Sequence, residues 1–215
     1  MLRLEQVSKT FHPGTIHETR ALQGLDLHLA PGEFVTVIGG NGAGKSTLLN
    51  AVAGVWLVDG GRVVIDGADV TALPEHKRAA FIGRVFQDPM MGTAPNMQIE
   101  ENLALANRRG RRRGLKWGVT RAEREVYRER LRTLGLGLES RLEDKVGLLS
   151  GGQRQALTLL MASMRKPKLL LLDEHTAALD PATAAKVLEL SDRIVTENGL
   201  TALMITHNKI GRAHV

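Results

Sequence analysis

The 215-residue chain contains no cysteine. A disulfide scaffold, thiolate zinc sites and cysteine nucleophiles are excluded together. Aromatic residues make up only 3% of it, which leaves few rings for stacking on nucleic-acid bases. No apolar run approaches the ~18 residues that a membrane-spanning helix needs. The first residues, Met1 to Gln6, meet charge at once and build no apolar signal core. These absences point to the cytoplasm. No repeat of solenoid period is visible. What is present is ordinary: 43% hydrophobic and 24% charged residues, a composition that excludes disorder and fibrous repeats. The length suits one domain, with room for a small subdomain.

The net charge of +6 is local. Residues 107–132 hold eleven Lys/Arg, from Arg108 and Arg109 to Arg130 and Arg132, against Glu123, Glu125 and Glu129. That window carries +8 and leaves −2 for the rest of the chain. A patch of this kind reads as a solvated face or a contact with an acidic surface before it reads as a nucleic-acid surface.

Along the chain, the first third is β-rich. Leu25, Leu27 and Leu29 alternate with Asp26 and His28 before Pro31-Gly32. Phe34–Ile38 is a continuous apolar run, the pattern of a strand buried on both faces of a parallel sheet. Lys45 to Ala53 has helical character and closes on Gly54, and Val63–Ile65 is another short strand. About residues 90–145 the chain is helical and polar. Thr120 with Glu123 has capping-box spacing and starts a helix that runs toward Leu134. The last third alternates again: a helix from Ser150 to Met164, a strand at Leu169–Leu172, a helix capped by Asp180-Pro181 and reaching Asn198, and a strand at Ala202–Thr206.

Gly39-Gly40-Asn41-Gly42-Ala43-Gly44-Lys45-Ser46-Thr47 fits the P-loop pattern and lies between a strand and a helix. Its glycines let backbone N–H groups turn inward on phosphate oxygens, and the helix N-terminus adds its positive end. Lys45 would reach the β- and γ-phosphates of a nucleotide, and Ser46 would offer a hydroxyl to Mg²⁺. Leu169–Leu172 runs into Asp173-Glu174. Ligands sit outside the carboxyl ends of parallel strands, so Asp173 would stand beside the P-loop in contact with Mg²⁺. Glu174 would face the γ-phosphate and polarise the attacking water. Leu149-Ser150-Gly151-Gly152-Gln153-Arg154-Gln155 is the third constellation. Ser150 with Gln153 is explained by a capping box alone. Two glycines in a first helical turn cost roughly 1 kcal/mol each and make sense if a phosphate approaches closely.

The set of motifs resembles the nucleotide-binding subunit of an ATP-binding cassette (ABC) transporter, over residues 1 to about 208 in the family's order and spacing. Leu149–Gln155 looks like the family's signature, whose Ser150, Gly151, Gly152 and Gln153 would contact the γ-phosphate held by a second copy's P-loop. Gln87, after Arg84-Val85-Phe86, matches the position that senses Mg²⁺ and the transmembrane subunits. Ala178-Leu179-Asp180 matches the D-loop, His207 the switch histidine, and Phe11 the aromatic ring that stacks on adenine. The resemblance implies an α/β fold: a P-loop NTPase core with an N-terminal antiparallel β subdomain and an inserted helical subdomain at about 88–160. It implies ATP and Mg²⁺ as ligands and a homodimer sandwiching ATP. It also implies transmembrane permease partners, an extracytoplasmic substrate-binding protein, and a place on the cytoplasmic face of the cell membrane. Nucleic acid is not an expected partner.

Three departures from the family pattern stand out. His175 follows Asp-Glu where the family commonly has proline; with Gln87-Asp88-Pro89 and Leu115–Gly118 it resembles a subgroup associated with amino-acid import. His175 reads as a structural side chain rather than a second base. The chain stops soon after His207, where the family continues. The end, Lys209–Val215, resembles nothing in the family and can be encoded by AAG ATC GGA AGA GCA CAC GTC, which resembles a sequencing adapter; 209–215 is therefore expected to be non-native. The other histidines (His12, His17, His28, His76, His214) show no metal-ligand spacing, and Met90-Met91 reads as hydrophobic contact surface. Two rivals remain at this point. A soluble ABC ATPase acting on nucleic acid or ribosomes would use the basic patch. A binding module that had lost catalysis is opposed by intact Lys45, Asp173, Glu174 and His207.

Overall fold

The leucines of Leu169–Asp173 and the apolar residues of Thr201–Thr206 have almost no exposed surface. Such continuous runs, without alternation, are what a parallel strand covered on both faces requires. A computed structural model describes residues 1–110 and 118–206 and divides them into two compact units. The first comprises residues 1–83, 168–173 and 199–206; the second comprises residues 84–167 and 174–198.

The first unit carries two sheets. Strands β1 (Leu2–Phe11), β2 (Thr19–Leu29), β4 (Gly60–Ile65) and β5 (Ala68–Asp69) form an antiparallel sheet in the order β2-β1-β4-β5. Strands β3 (Phe34–Ile38), β8 (Thr201–Thr206), β7 (Leu169–Asp173) and β6 (Ile82–Val85, whose last two residues belong to the second unit) form the second sheet in the order β3-β8-β7-β6. β3, β8 and β7 are parallel. Helix α1 (Lys45–Ala53) buries Leu48, Leu49 and Val52 in one core with Leu2, Leu29 and Ile65 of the antiparallel sheet and Leu169, Leu171 and Leu203 of the parallel one. Each expected strand and helix of this unit is present, and the C-cap of α1 is Gly54 in the left-handed conformation.

Helix α2 (Glu75–Arg78) supplies a feature that residue type conceals. Arg78 has no exposed surface, and burial lowers its pKa. Its guanidinium donates to the carbonyls of Ala51 (2.7 Å) and Val52 (2.9 Å) at the end of α1, and to those of Leu73 and Thr71. A cation at a helix C-terminus is favourable, and the last carbonyls of a helix have no partner within it; here the Ala51 carbonyl accepts from the Gly54 N–H as well as from Arg78. Arg78→Met removes the donors and leaves polar groups buried. We expect a loss of about 3–5 kcal/mol in unfolding free energy, measured by urea titration.

In the second unit, helices α3 (Ile99–Asn107), α4 (Arg121–Arg132), α5 (Gly151–Ser163) and α6 (Pro181–Asn198) pack through their apolar stripes. Tyr127 and Leu131 are buried on α4, and Val187, Leu190 and Ile194 on α6. The expected caps are present. Thr120 accepts from the N–H of Glu123, and Asp180 Oδ1 accepts from the N–H of Thr183 at 3.0 Å. Among the described residues no helix is long and apolar enough to cross a membrane.

Candidate nucleotide-binding site

β3 ends at Ile38, and the chain passes through Gly39–Gly44 into α1. Gly44 holds φ +82°, and a Cβ there would lie 2.5 Å from the Ala21 carbonyl oxygen, so both conformation and space demand glycine. The N-terminus of α1 has no side-chain cap and no acidic residue in its first turn. Its first N–H groups and the positive dipole end are therefore suited to an anion. Lys45 is 8% exposed, and its ammonium donates to the carbonyls of Gly39 (2.8 Å) and Gly40 (2.9 Å), which folds the side chain over the loop. Ser46, the next residue, is exposed. Asn41, Gly42 and Ala43 are exposed along the loop, and Thr47 is half-buried.

Register brings Asp173 to the same edge. Ile38 pairs with Thr206 of β8, and Asp173 pairs with Ile205 on the other side of β8. All three strands are parallel, so the P-loop and Asp173 leave the sheet at one level, outside its carboxyl ends. A strand-end carboxylate, a hydroxyl on the first helical turn and uncapped N–H groups are the donor set that a divalent cation with a polyphosphate requires; Mg²⁺ keeps few protein ligands and takes phosphate oxygens. The residues present fit both groups.

Phe11 ends β1. Trp56 meets it edge-on, with ring centroids 5.5 Å apart, and the Lys9 ammonium lies 5.8 Å from its centroid. Phe11 is half-buried, so it is not plain core. His207 lies outside the described residues, as do Leu115–Trp117 and 209–215.

The second unit gathers the signature and the D-loop. Ser150 caps α5: its Oγ accepts from the N–H of Gln153 (3.3 Å), and Gln153 Oε1 accepts from the N–H of Ser150 (3.2 Å). The capping box is real, and it uses Ser150 as an acceptor, which leaves the hydroxyl hydrogen to donate. Gly151 is exposed and packs near Leu179. Gly152 is buried, and a Cβ on it would lie 2.3 Å from Thr183 Cγ2 on α6. Close packing on α6 is thus a reason for the second glycine that the sequence does not display. Arg154 donates to the carbonyls of Val146, Gly147 and Leu149 and so braces the turn before Ser150. Gln87 follows β6 and is exposed; its neighbour Phe86 is held through its carbonyl by Gln155 Nε2 at 3.2 Å. Asp180 is kept below the usual carboxylate range by hydrogen bonds from the Thr183 side chain and backbone.

Glu174 follows Asp173 directly and holds φ +42°, a left-handed conformation unusual for a residue with a side chain. His175 is buried, and its Nε2 lies 2.8 Å from Ser191 Oγ. Burial pushes its pKa down to about 4, so it is neutral at physiological pH.

The basic patch is largely engaged where it is described. Arg124 pairs with Glu100 at 2.5 Å, Arg108 with Glu123, Arg128 with Glu125 and Arg132 with Glu129. Arg109 donates to the Ala162 carbonyl. Among the described residues, these paired cations are less available to displace counterions from a phosphate backbone. Binding to random-sequence DNA is expected to be weak and to vanish at physiological salt; submicromolar affinity there, measured by fluorescence anisotropy, would contradict this.

Loop, lysine, helix end and strand-end carboxylate define a P-loop nucleotide-binding domain. Residues 22–177 match the family model described as ABC transporter. The chain is 46% identical over 213 residues to a tyrosine transport ATP-binding protein of Clostridioides difficile (strain R20291), covering 97% of this chain and 82% of that protein. It is 36% identical to the lipoprotein-releasing system ATP-binding protein LolD of Ruegeria sp. (strain TM1040), covering 96% and 88%. Among solved structures, a dimeric ATP-binding cassette in a post-hydrolysis state with ADP and Pi superposes with a TM-score of 0.80 at 32% identity, covering 97% of this chain and 88% of that one. The chain belongs to the ABC transporter family, as its ATP-binding and ATP-hydrolysing subunit. The rival reading, action on nucleic acid or ribosomes, receives no support from these matches.

Proposed function

We propose that this subunit sits on the cytoplasmic face of the cell membrane as a homodimer and drives an amino-acid importer through partner permease subunits. The dimer follows the dimeric cassette that the chain resembles. The amino-acid reading follows the tyrosine transport relative, whose 46% identity exceeds the 36% of the lipoprotein-releasing one. A substrate-binding protein outside the membrane completes the proposed importer, and the cassette unit extends to about residue 208.

The observation that carries the chemistry is the P-loop on β3 and α1 with Asp173 at the same sheet edge. Lys45 and the α1 N–H groups would hold the phosphates, with Gly39 to Thr47 as their cradle. Phe11 would stack on the base. Ser46, Asp173 and Gln87 would hold Mg²⁺, which neutralises charge on the phosphates when bound. Glu174 would orient the attacking water and accept its proton, and His207 would support the γ-phosphate. Ser150, Gly151, Gly152, Gln153 and Asp180 would act on the nucleotide of the other copy. The test is phosphate release from ATP with and without a chelator. Turnover that falls at least ~100-fold without Mg²⁺ and returns on its addition is expected; turnover indifferent to the chelator would overturn the metal assignment.

A further inference from the structure

The His175–Ser191 contact has a direction that follows from counting hydrogens. Ser191 Oγ lies 2.8 Å from the Val187 carbonyl, which can only accept, so the single hydroxyl hydrogen is committed there. Ser191 Oγ must then accept from His175, whose neutral ring carries its hydrogen on Nε2. The result is a one-way chain: His175 Nε2–H to Ser191 Oγ–H to the Val187 carbonyl, every member buried. α6 is packed over this stretch, with Val187, Leu190, Ile194 and Val195 all buried. The other end of the chain is the residue next to Glu174, at a backbone position where φ is +42°. A left-handed conformation at a residue with a side chain is costly and persists only where its surroundings fix it.

We propose that His175 is a positioning residue: by donating to Ser191 on α6 it fixes the backbone after Glu174 and so aims the carboxylate that takes the proton of water. This rests on the reading of Glu174 as the base. His175 contributes no proton itself. A carboxylate misplaced by about 1 Å loses much of its rate advantage while ground-state binding is untouched, so the effect belongs in kcat and not in KM.

Steady-state ATPase assays of His175→Ala, His175→Gln, His175→Asn and Ser191→Ala test this. Gln places an N–H donor near the reach of Nε2, whereas Asn reaches only as far as Nδ1. The expected result is a kcat about tenfold or more lower for His175→Ala, His175→Asn and Ser191→Ala, with KM within about twofold of the parent and partial recovery of kcat in His175→Gln. In a Glu174→Gln background, His175→Ala is expected to leave the residual single-turnover rate unchanged, because the group being aimed is gone. Folding is checked by thermal melting; if His175→Ala fails to fold, Ser191→Ala against His175→Gln decides. An unchanged kcat in His175→Ala or Ser191→Ala, or equal losses in His175→Gln and His175→Asn, would overturn the proposal. Failure of the base reading shows separately, as normal turnover in Glu174→Gln alone.

Discussion

Glu174→Gln should bind ATP and fail to turn it over. Water is a poor nucleophile, and a carboxylate at the γ-phosphate both orients it and accepts its proton as the bond forms. Asp173 is a poor substitute, because a bound cation would lower its basicity. Glutamine keeps the size and the hydrogen-bonding shape of glutamate but has no basic oxygen. The expected loss in kcat is about 10²- to 10⁴-fold, with ATP affinity preserved in equilibrium dialysis. Turnover near that of the parent would show that another group takes the proton.

Lys45→Ala should lose tight nucleotide binding itself. The buried ammonium already lies against the carbonyls of Gly39 and Gly40, at the mouth of the P-loop. Charge-assisted hydrogen bonds to phosphate are among the stronger non-covalent contacts. Their removal should weaken MgATP binding by about two orders of magnitude, since ~3 kcal/mol corresponds to that ratio. Calorimetric titration reads this directly, and unchanged affinity would contradict the P-loop assignment. The two variants separate binding from chemistry: Lys45→Ala fails before Glu174→Gln has anything to act on.

What could be read in advance depended on how locally the physics is written. The P-loop, the helix closing on Gly54, and the caps at Thr120, Ser150 and Asp180 are decided within a few residues, so residue type announces them. β1 escaped because its alternation slips. Leu2, Leu4 and Val7 are all buried, but Gln6 sits at φ 51° in a bulge that shifts the inward face by one. Arg78 escaped for another reason. Within Glu75-His76-Lys77-Arg78 it reads as a solvated charge, and its partners are backbone carbonyls that no residue type marks. Gly152 was legible as a costly glycine, but its neighbour Thr183 lies 31 positions away in sequence and only the packing reveals it. His175 stood out against the family pattern, whereas its bond to Ser191 depends on where α6 places the serine.

The central claim is that ATP is shared between two copies, each P-loop meeting the other's Ser150–Gln153. Sedimentation velocity of Glu174→Gln, run with ATP and again with ADP, tests it most directly. If ATP is held by both copies, it favours the closed pair over the separated one, so an uncleaved nucleotide should hold the dimer together. A dimer with ATP that reverts to monomer with ADP is the predicted result. A monomer in both, at ATP concentrations that saturate the protein, would contradict the sandwich.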